Sequence, residues 1–300
     1  MKRVFVLLFL TMFLLSIVAC DKSKESDNVK VLTDETTTSD EAIDDESNKV
    51  DEGSASKETT VKEQVVFDSH DIVITVKSID MNSWLGPELL LLIENNSDQS
   101  VRVQANHVSV NGLMANTIFS VDVAPDKKAN DSITLMLEEN IISTIKEIEL
   151  VFHIMDAETW NNIVDSEPIK IMTNHTDYVQ SFDVSGQVAF DSHDIKITAQ
   201  KLESTDSFWG ADLYLFIENN SDRDVIIQTR EVSINGFMVD PIFSSEVSKN
   251  KKAYDSITFF ESDLTDNGIT DIEEIELYFH IFDVYNWETI IDSEIIKITF

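Results

Sequence analysis

Phe67-Asp68-Ser69-His70-Asp71-Ile72-Val73-Ile74-Thr75-Val76-Lys77 decides the fold class of this chain. Ile72, Ile74 and Val76 alternate with Val73, Thr75 and Lys77, and period two with a more polar alternate face describes a half-buried strand. The stretch returns as Phe190-Asp191-Ser192-His193-Asp194-Ile195, after which Ile195, Ile197 and Ala199 alternate with Lys196, Thr198 and Gln200. Outward from it, Ile93-Glu94-Asn95-Asn96-Ser97-Asp98 recurs as Ile217-Glu218-Asn219-Asn220-Ser221-Asp222, and Asp131-Ser132-Ile133-Thr134 as Asp255-Ser256-Ile257-Thr258. Residues 86–138 align without gaps to 210–262 with 27 identities in 53 positions. That is a tandem duplication rather than shared composition. It sets one domain at 64–173, a short polar joint at 174–186, and a second domain at 187–300, each long enough for its own core.

Each copy reads as β. Further strands are expected near 88–94, 100–105, 107–110, 131–137, 147–155 and 168–172, with counterparts in the second copy. Asn111-Gly112 and Asn235-Gly236 sit between apolar runs, where both positions tolerate φ > 0 and close a hairpin. Asn95-Asn96-Ser97-Asp98 and its twin are turns by their side-chain hydrogen bonding. About seven short strands per copy, separated by turn signals, predict an all-β fold: two tandem antiparallel β-sandwich domains, immunoglobulin-like but without the antibody cysteine pair.

Ahead of the repeats lie two segments of different character. Lys2 and Arg3 precede an apolar run over residues 4–18, too short for a comfortable bilayer span and of signal-peptide length. It ends in Ile17-Val18-Ala19-Cys20, which resembles the lipobox of bacterial lipoproteins. The resemblance implies a signal peptide over 1–19 and a Cys20 that is diacylated (palmitate-like chains) and becomes the mature N-terminus. Two acyl chains, at about 0.8 kcal/mol per buried CH₂, would then hold the protein to a cell membrane without spanning it. Residues 20–63 carry no aromatic side chain and are dominated by Asp, Glu, Ser, Thr and Lys. Such a stretch is expected to be a disordered acidic tether reaching about 35 Å r.m.s..

The run Ile-Glu-Asn-Asn-Ser-Asp, then Val-Ser-x-Asn-Gly, Asp-Ser-Ile-Thr, Glu-Ile-Glu-Leu, Phe-His-Ile and Asp-Ser-Glu looks like immunoglobulin-like modules of surface lipoproteins in Gram-positive bacteria. The likeness covers both copies nearly end to end. It implies the sandwich fold and an extracytoplasmic location, and it brings no catalytic residue with it.

Composition excludes several chemistries. There are 56 acidic and 22 basic residues, a formal charge of −34, so no basic footprint exists for nucleic acid. Seven scattered glycines build no phosphate loop. The single cysteine permits no intrachain disulfide and no cysteine zinc cluster. Metalloprotease and nucleophile-elbow motifs are missing, and Ser143-x-x-Lys146 and Ser248-x-x-Lys251 lack the accompanying motifs of penicillin-binding enzymes. The expectation is a protein that is not an enzyme and needs no cofactor.

Three features are candidates for binding. Asp263, Thr265, Asn267, Asp271 and Glu274 stand at positions 1, 3, 5, 9 and 12 of an EF-hand-like loop with Gly268 at position 6, a possible Ca²⁺ site. The competing reading is a short helix with Ser262 as N-cap and Gly268 closing a Schellman motif. His70 with His153, or His193 with His280, would meet in a metal site only if their strands were adjacent. Leu213-Tyr214-Leu215-Phe216-Ile217 and Leu277-Tyr278-Phe279-His280-Ile281-Phe282 are apolar on both faces. A face carrying Tyr214, Phe216, Tyr278 and Phe282 is then either covered within the chain or a contact surface. Trp84, Trp160, Trp209 and Trp287 lie in expected loops, where they read either as plugs at the sandwich ends or as a contact patch. The functional expectation is a lipid-anchored extracytoplasmic binding or scaffold protein for an unknown envelope partner. The alternative is a Ca²⁺-dependent or small-solute-binding lipoprotein.

Overall fold

In the computed structural model, which describes residues 58–137, 141–204 and 210–300, the alternation read at Ile72 becomes a strand whose Ile72, Ile74 and Val76 are buried. Cys20, the apolar run and most of the acidic stretch lie outside the described residues. The first copy runs β1 Gln64–Ser69, β2 Ile72–Asp80, β3 Glu88–Asn95, β4 Val101–Val110, β5 Leu113–Met114, β6 Asn116–Ile118, β7 Ser120–Val123, β8 Lys127–Met136, β9 Glu147–Asp156, β10 Asn162–Asp165 and β11 Ile169–Met172. The second runs β12 Gln187–Ser192, β13 Ile195–Ser204, β14 Ala211–Asn219, β15 Val225–Ile234, β16 Phe237–Met238, β17 Ser244–Val247, β18 Lys251–Phe259, helix α1 Glu261–Asp266, β19 Glu274–Asp283, β20 Thr289–Asp292 and β21 Ile296–Thr299.

Each copy is an antiparallel sandwich. In the first, a β1-β2-β3-β8-β6 sheet faces a β10-β9-β4-β5 sheet to which β7 and β11 add at β4 and β9. In the second, β12-β13-β14-β18 faces β16-β15-β19-β20, with β17 on β15 and β21 on β19. Leu91, Val103, Ile133, Phe152 and Ile154 fill the first core, and Leu215, Ile227, Ile257, Phe279 and Ile281 the second. Removing these side chains from water on two facing sheets is the main drive to fold.

The turns follow from local chemistry. Two-residue loops join β1 to β2 and β12 to β13, and in both the His-Asp pair has positive φ: 53° and 58° at His70-Asp71, 55° and 59° at His193-Asp194. A type I′ hairpin requires that conformation at both positions. The motif histidines are therefore hairpin-tip residues, each bonded at Nδ1 to the preceding serine Oγ at 2.9 Å. Asn95 is fully buried in its turn: Nδ2 donates to the carbonyls of Gln99 and Val123 at 2.8 Å, and Oδ1 accepts from Ser97 N at 3.0 Å and Ser97 Oγ at 2.6 Å. Asn219 repeats all four bonds.

Several expectations change. The stretch expected as two strands, 100–105 and 107–110, is one strand, β4, with a bulge: the register to β9 slips between Asn106 and Ser109, and His107 has φ 52°. A bulge absorbs one residue without ending the strand. The end of the expected tether belongs to the fold. Val61 bridges to Thr173, and Thr60 N donates to Asn174 Oδ1 at 3.0 Å. α1 begins after Phe260, whose side chain makes no capping bond, so Ser262 lies in the first turn and is not the N-cap. The far end closes as a Schellman motif, with Ile269 N on Leu264 O at 2.8 Å and Gly268 N on Thr265 O at 3.0 Å. Trp84, Trp160 and Trp287 are exposed rather than plugging the sandwiches, and Trp209 lies outside the described residues.

The two sandwiches share a sheet. Lys252 N donates to Gly112 O at 3.0 Å, and Lys252 pairs with Leu113 in the one parallel contact between the described strands. Through it β5 of the first copy meets β18 of the second, and a sheet from each copy becomes one ten-stranded sheet. The joint over 174–186 is packed into this junction. The Phe182 ring stacks on Phe216 at 5.8 Å, Tyr254 lies 4.8 Å from Phe216, and Tyr254 Oη donates to Asp183 O at 3.1 Å while accepting from Asp183 N at 3.0 Å.

Candidate functional site

The β4 bulge turns His107 out of the strand and toward the second copy. Its Nδ1 lies 2.8 Å from Glu246 Oε1 on β17 and 3.4 Å from Ser248 Oγ. The ring tilts against Tyr285 at 6.0 Å. Tyr285 Oη donates to Asp224 Oδ2 at 2.8 Å, and Asp224 Oδ1 accepts from Lys249 N at 2.7 Å. On the neighbouring strand, Glu149 takes the Nζ of Lys251 at 2.8 Å and that of Lys170 at 3.3 Å. Lys251 is 9% exposed, so this ion pair across the copies is shielded from screening.

These groups surround a cleft of about 420 Å³ between the copies. Asn106, His107, Glu149, His153, Asp165 and Glu167 line it from the first copy, and Asp224, Ser248, Lys249 and Tyr285 from the second. His153 is paired with Asp165 through Nδ1.

The electrostatics follow from these contacts. The hydrogen bond to Glu246 holds His107 above the ordinary imidazole range, against the cost of burial, and Asp224 and Asp165 add to it. Burial pushes the Glu149 carboxyl up, but Lys251 and Lys170 outweigh it and leave it below the usual carboxylate range. Burial and the bond to Asp224 raise the Tyr285 hydroxyl, so it stays a neutral donor. On the opposite side of His107, burial lifts the Asp255 carboxyl despite bonds from Ser245 and Ser256.

The arrangement does not build a nucleophile. Glu246 and Ser248 both approach Nδ1 of His107, whereas a catalytic base relays through its two different ring nitrogens. Ser166, also on the cleft, is occupied in accepting from Phe152 N at 2.9 Å, as Ser293 accepts from Phe279 N at 2.9 Å. What the cleft offers is hydrogen bonding and charge of both signs, drawn from both copies.

The other candidates fall elsewhere. Asp263 and Thr265 lie in α1, Asn267 at its C-cap, and Asp271 and Glu274 beyond it. Asp263 Oδ2 accepts from Asp240 N at 3.4 Å, and its backbone carbonyl from Asn267 Nδ2 at 2.8 Å. Among the described residues no three His, Cys, Asp or Glu side chains gather to hold a metal. His70 and His153 sit in different sheets, as do His193 and His280. Tyr214, Phe216, Tyr278 and Phe282 do not share a face. The first two project from the β14 sheet and the last two from the β19 sheet, on opposite outer sides of the second sandwich. Phe216 is covered by Phe182 and Tyr254, and Phe282 by Trp287 at 5.5 Å, while Tyr214 lies under Lys201 Nζ at 4.4 Å.

His107 and Glu246 carried no motif in the sequence, and Lys251 only an isolated Ser-x-x-Lys match. The signal for His107 was its failure to repeat, since Glu231 occupies the same bulge in the second copy with φ 50°.

No family model matches the chain, and no curated protein matches its sequence. Solved structures similar to it include the YadV chaperone, at 9% identity with a TM-score of 0.24, covering 77% of this chain and 100% of that one. A Salmonella enterica SafA pilin–SafB chaperone complex gives 10% identity and a TM-score of 0.22, covering 71% and 89%. The E. coli chaperone DraB gives 11% identity and a TM-score of 0.21, covering 71% and 90%.

Proposed function

We infer that this chain is a lipid-anchored, non-enzymatic binding or scaffold protein of the extracytoplasmic face of a bacterial membrane. The cleft between its copies is where it takes an envelope partner. The cleft carries this reading. It draws polar groups from both copies, is set by cross-copy pairs rather than by one mobile loop, and contains no activated nucleophile. Location is supported by the charge, apolar core and Cys20 at the N-terminus, by the likeness of the repeats to Gram-positive surface modules, and by an acidity that favours solubility beside an anionic envelope.

A second reading, a small-solute-binding lipoprotein, is favoured by the cleft volume. It falls inside the roughly 300–1,000 Å³ of small-molecule sites. Its Ca²⁺ form would rest on Asp263, Thr265, Asn267, Asp271 and Glu274.

Cell fractionation and crosslinking test the proposal together. The full chain is expected in the membrane fraction, and Cys20→Ser in the soluble one with its fold intact. Retention of Cys20→Ser in the membrane as firmly as the parent would refute the anchor. A photo-crosslinker at Glu167 should capture a discrete envelope protein that the same group at Val65, remote on β1, does not. Equal capture at both positions would refute the cleft.

A further inference from the structure

The contact between the copies is built from two unlike surfaces, and the duplication leaves a second set of both unused. On one side stands the Asn-Gly hairpin with β5; on the other, the outer edge of β18. Register makes the equivalents explicit. Ser109–Met114 and Val110–Leu113 pair as Ser233–Met238 and Ile234–Phe237 do. Glu94–Lys128 matches Glu218–Lys252, and Arg102–Asp122 matches Ile226–Glu246.

The hairpin of the second copy is bare. Leu113 is 6% exposed in the junction, whereas its equivalent Phe237 is 48% exposed and Met238 65%. The edge of the first copy is bare too. β6 covers β8 only at Thr134–Met136, which leaves Lys127–Asp131 open on that side. Lys128 N has the place from which Lys252 N reaches Gly112 O, and Gly236 O has the place of that acceptor. Lys127, the equivalent of the buried Lys251, is exposed and makes no ion pair with a described residue. Glu276 stands where Glu149 receives Lys251.

We propose that copies of this chain join head to tail through these surfaces, the Asn235–Met238 hairpin of one molecule docking on the Lys127–Asp131 edge of β8 in the next. The contact repeats the junction within the chain: Lys128 N donates to Gly236 O, Phe237 and Met238 cover the rim of the first core, and Glu276 pairs with Lys127. One charge contact is inverted. Glu231 takes the position of His107 and Asp122 that of Glu246, so two carboxylates face each other there, and only the Arg102 guanidinium, which donates to Asp122 from Nε and Nη2 at 2.6 Å, offsets their repulsion. The surfaces are heterologous, so the contact propagates into a ring or an open chain rather than closing as a two-fold dimer. The 174–186 segment has no counterpart between molecules, so this association is weaker than the internal junction and depends on concentration.

The compact unit Ser56–Phe300 contains both cores and no cysteine, which allows a clean crosslinking test. Under mild oxidation, Phe237→Cys/Lys128→Cys should give a ladder of disulfide-linked multimers, since paired strand positions lie within disulfide reach. The two single variants, mixed, should give a heterodimer that neither gives alone. Met238→Asp in the double variant, which leaves both cysteines in place, should abolish the ladder. Two results would overturn the proposal. One is a double variant that stays monomeric while Leu113→Cys/Lys252→Cys closes within the chain under the same conditions. The other is Phe237→Cys linking to itself as fast as to Lys128→Cys, which would make the contact symmetric.

Discussion

Asn219 shows how much one side chain settles. It is fully buried, and its amide makes four hydrogen bonds that tie the β14–β15 turn to β17. Truncation would leave the carbonyls of Arg223 and Val247 and the Ser221 hydroxyl without this partner inside the fold. Unmade buried hydrogen bonds cost about 1–3 kcal/mol each, partly relieved by water. Asn219→Ala should therefore lower stability by about 2–4 kcal/mol in urea unfolding. A loss of only a few tenths would refute this account of the turn. The residue was legible as a turn former from Asn-Asn-Ser-Asp. Its burial was not, because the carbonyl of Val247 that buries it lies 28 residues away in sequence.

At the scale of elements, the joint is a packed strap rather than a polar spacer. Phe182 and Asp183 hold it against Phe216 and Tyr254, and Gly186 ends it at φ 136°. A Cβ on Gly186 would lie 2.2 Å from the carbonyl oxygen of Ala199 on β13, inside any allowed contact. Gly186→Ala should therefore force the entry to β12 away from β13 and raise hydrogen exchange along β12. Unchanged exchange there would show that the strap does not set the position of that edge. The elements themselves were readable: period two gave the long strands, and Asn-Gly the hairpins. The bulge at His107 was not, since a single extra residue leaves the apolar pattern on both sides intact and is defined only by the partner strand.

At the scale of the molecule, the two copies are coupled through a shared sheet, the Lys251–Glu149 pair and the His107–Glu246 pair. The last of these makes the coupling depend on pH. Bonding to Glu246 raises the folded-state pKa of His107 above its ordinary 6.5. A raised cationic group contributes fully below its unfolded pKa and loses that contribution as pH rises through the folded value. The copies should unfold as one cooperative transition below pH 6.5 and separate toward two as pH rises above it through the raised folded-state value. Calorimetry across that range checks it, with His107→Gln expected to remove the pH dependence. A coupling that strengthens on alkalinisation would reverse the sign and refute the assignment.

The sequence by itself determined that this chain is a duplicated, all-β molecule, where its hairpins turn and which residues face each core. Those properties follow from side-chain period and from turn chemistry, which act over a few neighbouring residues. Only the tertiary structure decided that the joint is packed, that Tyr214, Phe216, Tyr278 and Phe282 divide between two opposite faces, and that His107, Glu149, Glu246 and Lys251 meet across a cleft. The contacts across the cleft join residues more than 100 positions apart, brought together by two cores and one shared sheet edge. No local pattern encodes that, and the trace the sequence does carry is the set of places where one copy departs from the other.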